Sequence, residues 1–339
     1  MSCPKVFIII VNWNGLQDTI ECLESVFKLN YNNFKVVVVD NGSSDGSCIG
    51  IKEKFTDIIL IENDENLGFA EGNNVGMRYA LQHGADYVFL LNNDTIVDSH
   101  ILNELLKASL KFNDKGIFGA QIYYHSKPAE IWYSGVRWVP SISIFLHENM
   151  GLSKDTIEET DYACGCALFL STRVIERIGL FDRKYFLTFE EADWCSRARL
   201  GGIRSYCVAN AIVYHKISNS FGGSSSPLIS YFLTRNSLLW GERYLSLKEY
   251  IELIVNTIKR IQWLSYRGSE YKRHSFRLIS IFIQHYRKKY YSVASQASYL
   301  GLRDYLLRKF GNCPFDVSLL ASIESQKKST YEGIANLEE

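Results

Sequence analysis

The sequence predicts an α/β fold: a mostly parallel β-sheet flanked by helices, with a helical region appended at the C-terminal side. Three observations carry this. Short β-branched runs alternate with segments of helical periodicity through the first hundred residues, the pattern of parallel strands joined by crossover helices. The strand runs are apolar throughout rather than alternating, as strands buried on both faces are. Beyond residue 226 strand signals cease and long helical runs rich in Tyr, Phe, Lys and Arg take over.

Val6 to Val11 reads as the first strand and ends in the turn Asn12-Trp13-Asn14-Gly15. Asp18 to Lys28 reads as a helix, with Ile20, Leu23, Val26 and Phe27 on one face. Lys35 to Val39 is the second strand, closed by Asp40-Asn41-Gly42-Ser43-Ser44-Asp45-Gly46. Ile58 to Ile61 is a third strand, Glu71 to His83 a helix, Tyr87 to Leu91 a fourth strand and 95–111 a helix. Further on, Ile117 to Tyr124, Ile131 to Trp138 and Ala167 to Ser171 read as strands, and Thr172 to Ile178 as a helix. Polar Ser153 to Thr160 reads as a loop and Ile212 to Tyr214 as a short strand. The Gly/Ser-rich stretch Ser218 to Ser226 reads as a linker or lid and marks a domain boundary. Tyr231 to Tyr244, Leu247 to Tyr266, Ser275 to Ala294 and Gln296 to Lys309 read as helices. The expected division is a catalytic domain over 1–225, a basic helical region over 226–311 and a polar tail over 312–339.

The 339 residues are 47% apolar and carry no net charge, which excludes a disordered chain. The charge is unevenly placed: Leu228 to Gly311 holds fifteen basic residues against five acidic. Such an asymmetry suits a catalytic part joined to a part that meets something anionic. None of the eight cysteines forms a C-x-x-C pair, and Cys164 and Cys166 are too close for a zinc knuckle. No signal-peptide pattern is read at the start, and no run approaches the roughly 20 apolar residues that span a bilayer. The expected setting is cytoplasmic, with free thiols.

The polar clusters Asn12 to Gly15, Asp40 to Asp45, Asn63 to Asn66 and Asn92 to Asp94 all follow strands. In a parallel sheet they gather on the rim where ligands bind. Asp40 there accepts from a nucleobase or ribose, or caps its own Asn41-Gly42 turn. Asn92-Asn93-Asp94 ligates Mg²⁺ or Mn²⁺ together with a diphosphate, or Asp94 caps the following helix. His215 is a further metal ligand or a structural histidine. Gly68, Gly72 and Gly76 recur every four residues at a helix start and allow close approach of another helix or a phosphate. The dinucleotide fingerprint, the P-loop and the G-x-S-x-G elbow are missing, which argues against a dehydrogenase, a P-loop kinase and a serine hydrolase. Phe189-Glu190-Glu191-Ala192-Asp193-Trp194 places three carboxylates among aromatics. It is either an acidic first turn of a helix or a source of a general base.

Taken in order, these pieces resemble glycosyltransferase family 2, with its GT-A (Rossmann-like) fold, near the rhamnosyltransferase-like members. The matching runs are Ile9 to Gly15, Val38 to Gly46, Asn66 to Ala70, Leu91 to Asp94, Gly165 to Leu168, Gly179 to Asp182 and Phe189 to Trp194, then His215. The resemblance implies that Asp40 contacts the base, with Asn12 and Asn14 beside it, and that Asn66 and Gly68 belong to the donor site. Asn92-Asn93-Asp94 takes the place of the Asp-x-Asp motif, with Asn92 in place of the first acid, and Asp94 and His215 hold Mg²⁺ or Mn²⁺. Glu191 stands where the family carries the Asp of its catalytic pair. Glu190 is the rival base, and Asp193 positions the acceptor or the loop.

The implied reaction is inverting transfer of a sugar, rhamnose first, from a dTDP- or UDP-linked donor to a glycan or lipid-linked acceptor in cell-surface polysaccharide synthesis. Two other readings use the same rim: a sugar nucleotidyltransferase, whose Gly-rich basic loop is missing after Val11, and a non-catalytic nucleotide-sugar-binding module, which has no use for the acid cluster. No nucleic-acid partner is expected. Lys272-Arg273 and Arg287-Lys288-Lys289 lie among Tyr, Phe and Ile. They suit a peripheral contact with the anionic inner face of a cell membrane, or else a solvated helical face or an oligomer contact. In liposome flotation, the chain is expected to float with anionic vesicles at low salt and to release at moderate salt. Absence of binding at low salt contradicts the membrane reading.

Overall fold

A computed structural model describes residues 3–148, 151–216, 226–266 and 292–314, with Val317 and Leu320. The chain divides into two units, one of 1–139 with 144–218 and one of 140–143 with 219–339.

The first unit is built on a ten-stranded sheet. Its strands are β1 (Val6–Asn12), β2 (Phe34–Asp40), β3 (Ile58–Glu62), β4 (Tyr87–Asn92), β5 (Thr95–Val97), β6 (Gly116–Tyr124), β7 (Lys127–Tyr133), β10 (Ile157–Thr160), β11 (Ala167–Ser171) and β12 (Arg204–His215). β8 (Val136–Val139) and β9 (Ile144–His147) form a separate antiparallel hairpin. The sheet runs β10-β12-β6-β11-β4-β1-β2-β3, with β5 on β12 and β7 on β6. β1 is flanked by parallel β2 and β4, β3 is parallel to β2, and β12 is parallel to β6. β11 is antiparallel to both β4 and β6. Chain order reverses at β1, which lies between β2 and β4, so the loops after β1, β2 and β4 meet at the switch point where open α/β sheets bind ligands.

The continuous apolar runs serve two faces. Val6, Ile8 and Ile10 pack with α1 (Leu16–Val26) and α4 (Ile101–Lys111), while Phe7 and Ile9 pack on the other side with α3 (Gly68–Gln82), α5 (Thr172–Ile178) and α6 (Glu190–Leu200). Ile8, Ile9 and Ile10 are all 0% exposed, and each contributes roughly 1.5–3 kcal/mol of burial.

Several elements depart from the sequence expectation. α2 (Ser47–Lys54) forms where no helix was expected, because it buries only Ser47 and Ile51 and carries no apolar stripe. Thr95–Val97 is strand β5 rather than helix, and α4 starts at Ile101 with His100 as its cap. Asp94 is therefore not a helix cap; its successor pairs with β12 instead. The expected strand 131–138 breaks at Ser134-Gly135 into β7 and β8. The segment 153–160 ends in edge strand β10, whose outward Glu158 and Glu159 made it read as a loop. β12 extends far beyond Ile212 to Tyr214, with a register irregularity between Val208 and Ile212 that breaks its pattern.

The second unit contains α7 (Pro227–Tyr244), α8 (Leu247–Tyr266) and α9 (Val293–Leu306). Arg235 of α7 is fully buried between the rings of Tyr231 and Phe232 and donates to the Gly311 carbonyl. Tyr231 in turn donates to Asp304 on α9. The basic clusters Lys272-Arg273 and Arg287-Lys288-Lys289, most of the expected helix 275–294 and most of the stretch 218–226 lie outside the described residues. No described helix is long and apolar enough to cross a membrane.

Candidate active site

The loops after β1, β2 and β4 are bound to one another by their polar side chains. Asn12 lies opposite Asp40 in the parallel register. Its Nδ2 donates to Asp40 Oδ1 at 2.7 Å and to Ser43 Oγ at 3.1 Å. The Ser43 backbone N–H donates to Asp40 Oδ2 at 2.8 Å, the turn-capping contact of an Asx turn. Both Asp40 oxygens are thus engaged. Asn14 adopts φ 51° and accepts from the Ser44 N–H at 2.8 Å. Thr19 Oγ1 donates to Asn12 Oδ1 at 2.8 Å, and Asn93 Nδ2 donates to Thr19 Oγ1 at 3.0 Å. Thr19, which the sequence reasoning did not single out, is the hinge between the β1 and β4 loops. It is masked as an ordinary polar residue on an amphipathic helix.

Two of the expected donor-site residues, Asn66 and Gly68, make contacts within the protein. Asn66 Oδ1 accepts from the Gly68 N–H at 2.8 Å. The next two N–H groups of α3, Phe69 and Ala70, donate to the Phe186 carbonyl at 2.7 and 3.3 Å. A Cβ on Gly68, at φ +80°, would fall 2.5 Å from that same carbonyl oxygen. The glycine therefore admits a strand of backbone, not a phosphate, and the helix N-terminus is already satisfied.

Asp94 and His215, far apart in sequence, are brought together by the antiparallel pairing of β5 and β12. His215 Nε2 lies 3.1 Å from Asp94 Oδ1, with both side chains about nine-tenths buried. His215 Nδ1 and Asn92 Oδ1 are buried without a hydrogen-bond partner. Carboxylate, imidazole and amide oxygen are all lone-pair donors, a set that fits a divalent cation. Among the described residues no cluster of three or more His, Cys, Asp or Glu side chains forms a full metal shell. Lys216, next along the chain, fixes this corner. Its N–H donates to the Asp94 carbonyl at 2.9 Å, and its Nζ pairs with Asp18 at 2.9 Å and with Glu21 on α1. The sequence offered no reason to link Lys216 to residues almost two hundred positions earlier.

The acid cluster opens α6. The segment before it is held in left-handed backbone at Phe186 (φ 60°), Thr188 (φ 64°) and Phe189 (φ 69°). Three such residues cost of order 1–3 kcal/mol each and persist only where surroundings impose them. The surroundings here are the α3 N-terminus on Phe186 and the Asn74 side chain, which bonds both the N–H and the carbonyl of Phe181 at 3.0 Å. Glu190 is 3% exposed and Glu191 half-buried. Oε2 of each is buried without a hydrogen-bond partner. Burial raises both carboxyls above the usual carboxylate range. Glu190 rises further because the charge of Glu191 lies beside it, whereas Glu191 is drawn back by backbone N–H groups, that of Gly165 among them, and by a hydrogen bond from Glu190. Of the two, Glu190 is thus the one whose protonated form the surroundings favour the more. Asp193 is 0% exposed; it accepts from Tyr185 Oη and Arg197 Nε, each at 3.0 Å. Arg197 continues to the carbonyls of Ile178 and Leu180. Of the two roles open to Asp193, these contacts are those of holding the loop.

Residues 7–177 match glycosyl transferase family 2, half of the chain, and the chain belongs to that family. The dTDP-rhamnosyl transferase RfbF of Shigella flexneri is 25% identical over 272 residues, 75% of this chain and 87% of that protein. An N-acetylglucosaminyl-diphospho-decaprenol L-rhamnosyltransferase of Mycobacterium tuberculosis (strain CDC 1551 / Oshkosh) is 24% identical over 214 residues, 55% of this chain and 68% of that protein. Among solved structures, the mannosyltransferase PcManGT from Pyrobaculum calidifontis in complex with GDP-Man and Mn²⁺ superposes with a TM-score of 0.55 at 14% identity, covering 91% of this chain and 89% of that one. The fold is the GT-A fold.

A pH consequence follows from the acid pair. Because the folded state holds Glu190 protonated above its ordinary value, it binds more protons than the unfolded chain. The pair's contribution to stability is then fully present below the unfolded pKa of 4.5 and is lost as pH rises through the folded value. Glu190→Gln, a neutral isostere, is expected to gain melting temperature over the wild type as pH is raised from about 5 to about 8. A constant difference across that range contradicts the shared proton.

Proposed function

We propose that the chain is an inverting glycosyltransferase that moves a sugar from a nucleoside diphosphate to a hydroxyl of a glycan or lipid-linked acceptor in cell-surface polysaccharide synthesis. The observation that carries the reading is the buried Glu190–Glu191 pair, its Oε2 atoms unpartnered, in the same unit as the polar rim after β1, β2 and β4. Rhamnose from a dTDP-linked donor is the first substrate to test, because it is what the names of the relatives from Shigella flexneri and Mycobacterium tuberculosis support. UDP-linked sugars come next.

In this reading Asp40 accepts from the base, with the Asn12 and Asn14 turn beside it. Asp94 and His215 hold Mn²⁺ or Mg²⁺, with imidazole favouring the former. Bound there, the cation neutralises charge that develops on the departing diphosphate. Glu191 takes the proton of the acceptor hydroxyl as its oxygen bonds to the anomeric carbon. The bond from that carbon to the diphosphate oxygen breaks on the opposite face, so one displacement inverts the configuration and needs no covalent nucleophile. Glu190 stays protonated and hydrogen-bonds to Glu191, which limits the charge in the pocket. Its raised pKa makes Glu191 a stronger base than an exposed carboxylate. Glu is one methylene longer than the Asp of related chains, and the left-handed turn at Phe186 to Phe189 sets where that longer arm begins.

The test is nucleoside diphosphate release from a panel of nucleotide sugars, with and without acceptor. Glu191→Gln is expected to lower transfer by roughly 10²–10⁴-fold while nucleotide binding, read by calorimetry, is retained. Near-wild-type transfer by the variant removes Glu191 as the base. A nucleotidyltransferase would release no nucleoside diphosphate from a nucleotide sugar and would instead form pyrophosphate from a nucleoside triphosphate and a sugar 1-phosphate, and a binding module would do neither.

A further inference from the structure

β3 is the outermost strand of the parallel half of the sheet, and among the described residues β2 is its sole pairing partner. The Asn63 N–H donates to the Asp40 carbonyl at 2.9 Å, so the odd-numbered residues turn their main-chain groups to β2. The alternation of a strand then points the N–H and C=O of Ile58, Leu60 and Glu62 outward. Among the described residues no group bonds to them. Such an edge is a template for another strand, and proteins blunt it with proline, lysine or a bulge. β3 carries none of these. It reads Ile-Ile-Leu-Ile-Glu, its four aliphatic residues are half-buried, and its register with β2 is unbroken.

The two ends of the strand differ in charge. At its start Lys28, Lys35 and Lys54 line two adjoining open grooves with Glu24 and Asp57, a net of one positive charge. Lys54 is paired with Glu24, whereas Lys28 and Lys35 are exposed and enter no ion pair among the described residues. At its end Glu62 is paired with Lys52, whereas Asp64 and Glu65 are exposed and enter none.

We propose that β3 is the contact between two copies of this chain, pairing antiparallel with β3 of a second copy about a two-fold axis at Leu60. A two-fold contact uses the same patch on both partners. With Leu60 opposite Leu60, Ile58 of each copy exchanges main-chain bonds with Glu62 of the other. Asp64 then falls opposite Thr56, and Glu65 opposite Phe55, both of which line the lysine groove. The acidic end of each copy meets the basic end of the other, and symmetry does this twice. A parallel arrangement would set the two acidic ends together. The complementarity lies within one chain, which favours a second copy over an unrelated strand. The chain's zero net charge leaves no long-range repulsion between copies. A five-residue strand is a short contact, so the dimer is weak and its dissociation constant micromolar.

Sedimentation equilibrium of the full chain across micromolar loadings tests this, with residue-resolved hydrogen exchange on the same samples. The mass is expected to rise from one chain to two. The Leu60 and Glu62 amides are expected to exchange more slowly at high loading, while those of Ile59 and Ile61, already bonded to β2, stay as they were. Glu62→Pro removes an outward N–H and leaves the ladder to β2 intact. It is expected to weaken association by about tenfold or more, whereas Glu62→Gln, which keeps that N–H, stays close to the wild type. Melting curves establish that the variants are folded, and a charge exchange stands in if Glu62→Pro is not. Asp64→Lys with Glu65→Lys, and Lys28→Glu with Lys35→Glu, are each expected to remain single chains alone and to form a mixed dimer when combined. A wild type that stays a single chain at every loading overturns the proposal and leaves the edge to another protein's strand. A dimer whose Leu60 and Glu62 amides gain no protection, or that neither Glu62→Pro nor the charge reversals weaken, overturns it as well.

Discussion

The hydrogen bonds from the α3 N-terminus to the Phe186 carbonyl are the constraint on which the site depends. A helix start offers N–H groups that need a partner. Here the partner is a backbone carbonyl from the segment that leads into α6, admitted by the missing side chain of Gly68. This contact ties the nucleotide half of the sheet to the acid cluster, more than a hundred residues later. It also accounts for three left-handed residues in a row of four. With Phe186 pinned and Trp194 buried and bonded to the Gly179 carbonyl, the short chain between them has little freedom. Strain stored there sets the position of Glu190 and Glu191.

The second theme is charge kept in a dry place. Two adjacent carboxylates in water would both ionise near 4.5. Buried side by side they cannot, because each charge is desolvated and faces the other. Sharing a proton lets one member remain ionised while the other lends it a hydrogen bond. Asp94 and His215 converge through β5 and β12, and Lys216 locks that corner by pairing with Asp18 and Glu21. Asp193 and Arg197 complete the scaffold by satisfying backbone carbonyls before the acid pair.

Much of the fold was legible because the strands β1, β2 and β4 are unbroken apolar runs that only a doubly covered sheet can bury. The rim residues were legible for the same reason: Asn12, Asp40 and Asn92 each end such a strand. What could not be read was pairing. Thr95 to Val97 is β-branched but only three residues long, so its pairing with β12 decides its structure, and β10 and β12 are specified by edge position and register. Gly68 shows the limit most clearly. Its spacing with Gly72 and Gly76 announced a close approach, but only the three-dimensional fold says that the visitor is Phe186. The acid cluster was legible as a cluster, yet the surroundings of its members were not, because Glu190, Glu191 and Asp193 differ in burial and partners rather than in kind.

The central claim is that burial raises both carboxyls of the acid pair, and that the neighbouring charge of Glu191 raises Glu190 the further of the two. Carboxyl-carbon NMR of the chain labelled at Glu side chains, assigned with Glu190→Gln and Glu191→Gln and titrated from acid to alkaline pH, measures this directly. The account predicts that both resonances titrate above the usual carboxylate range, with that of Glu190 the later of the two. Two resonances that both titrate near 4.5, as exposed glutamates do, would contradict it.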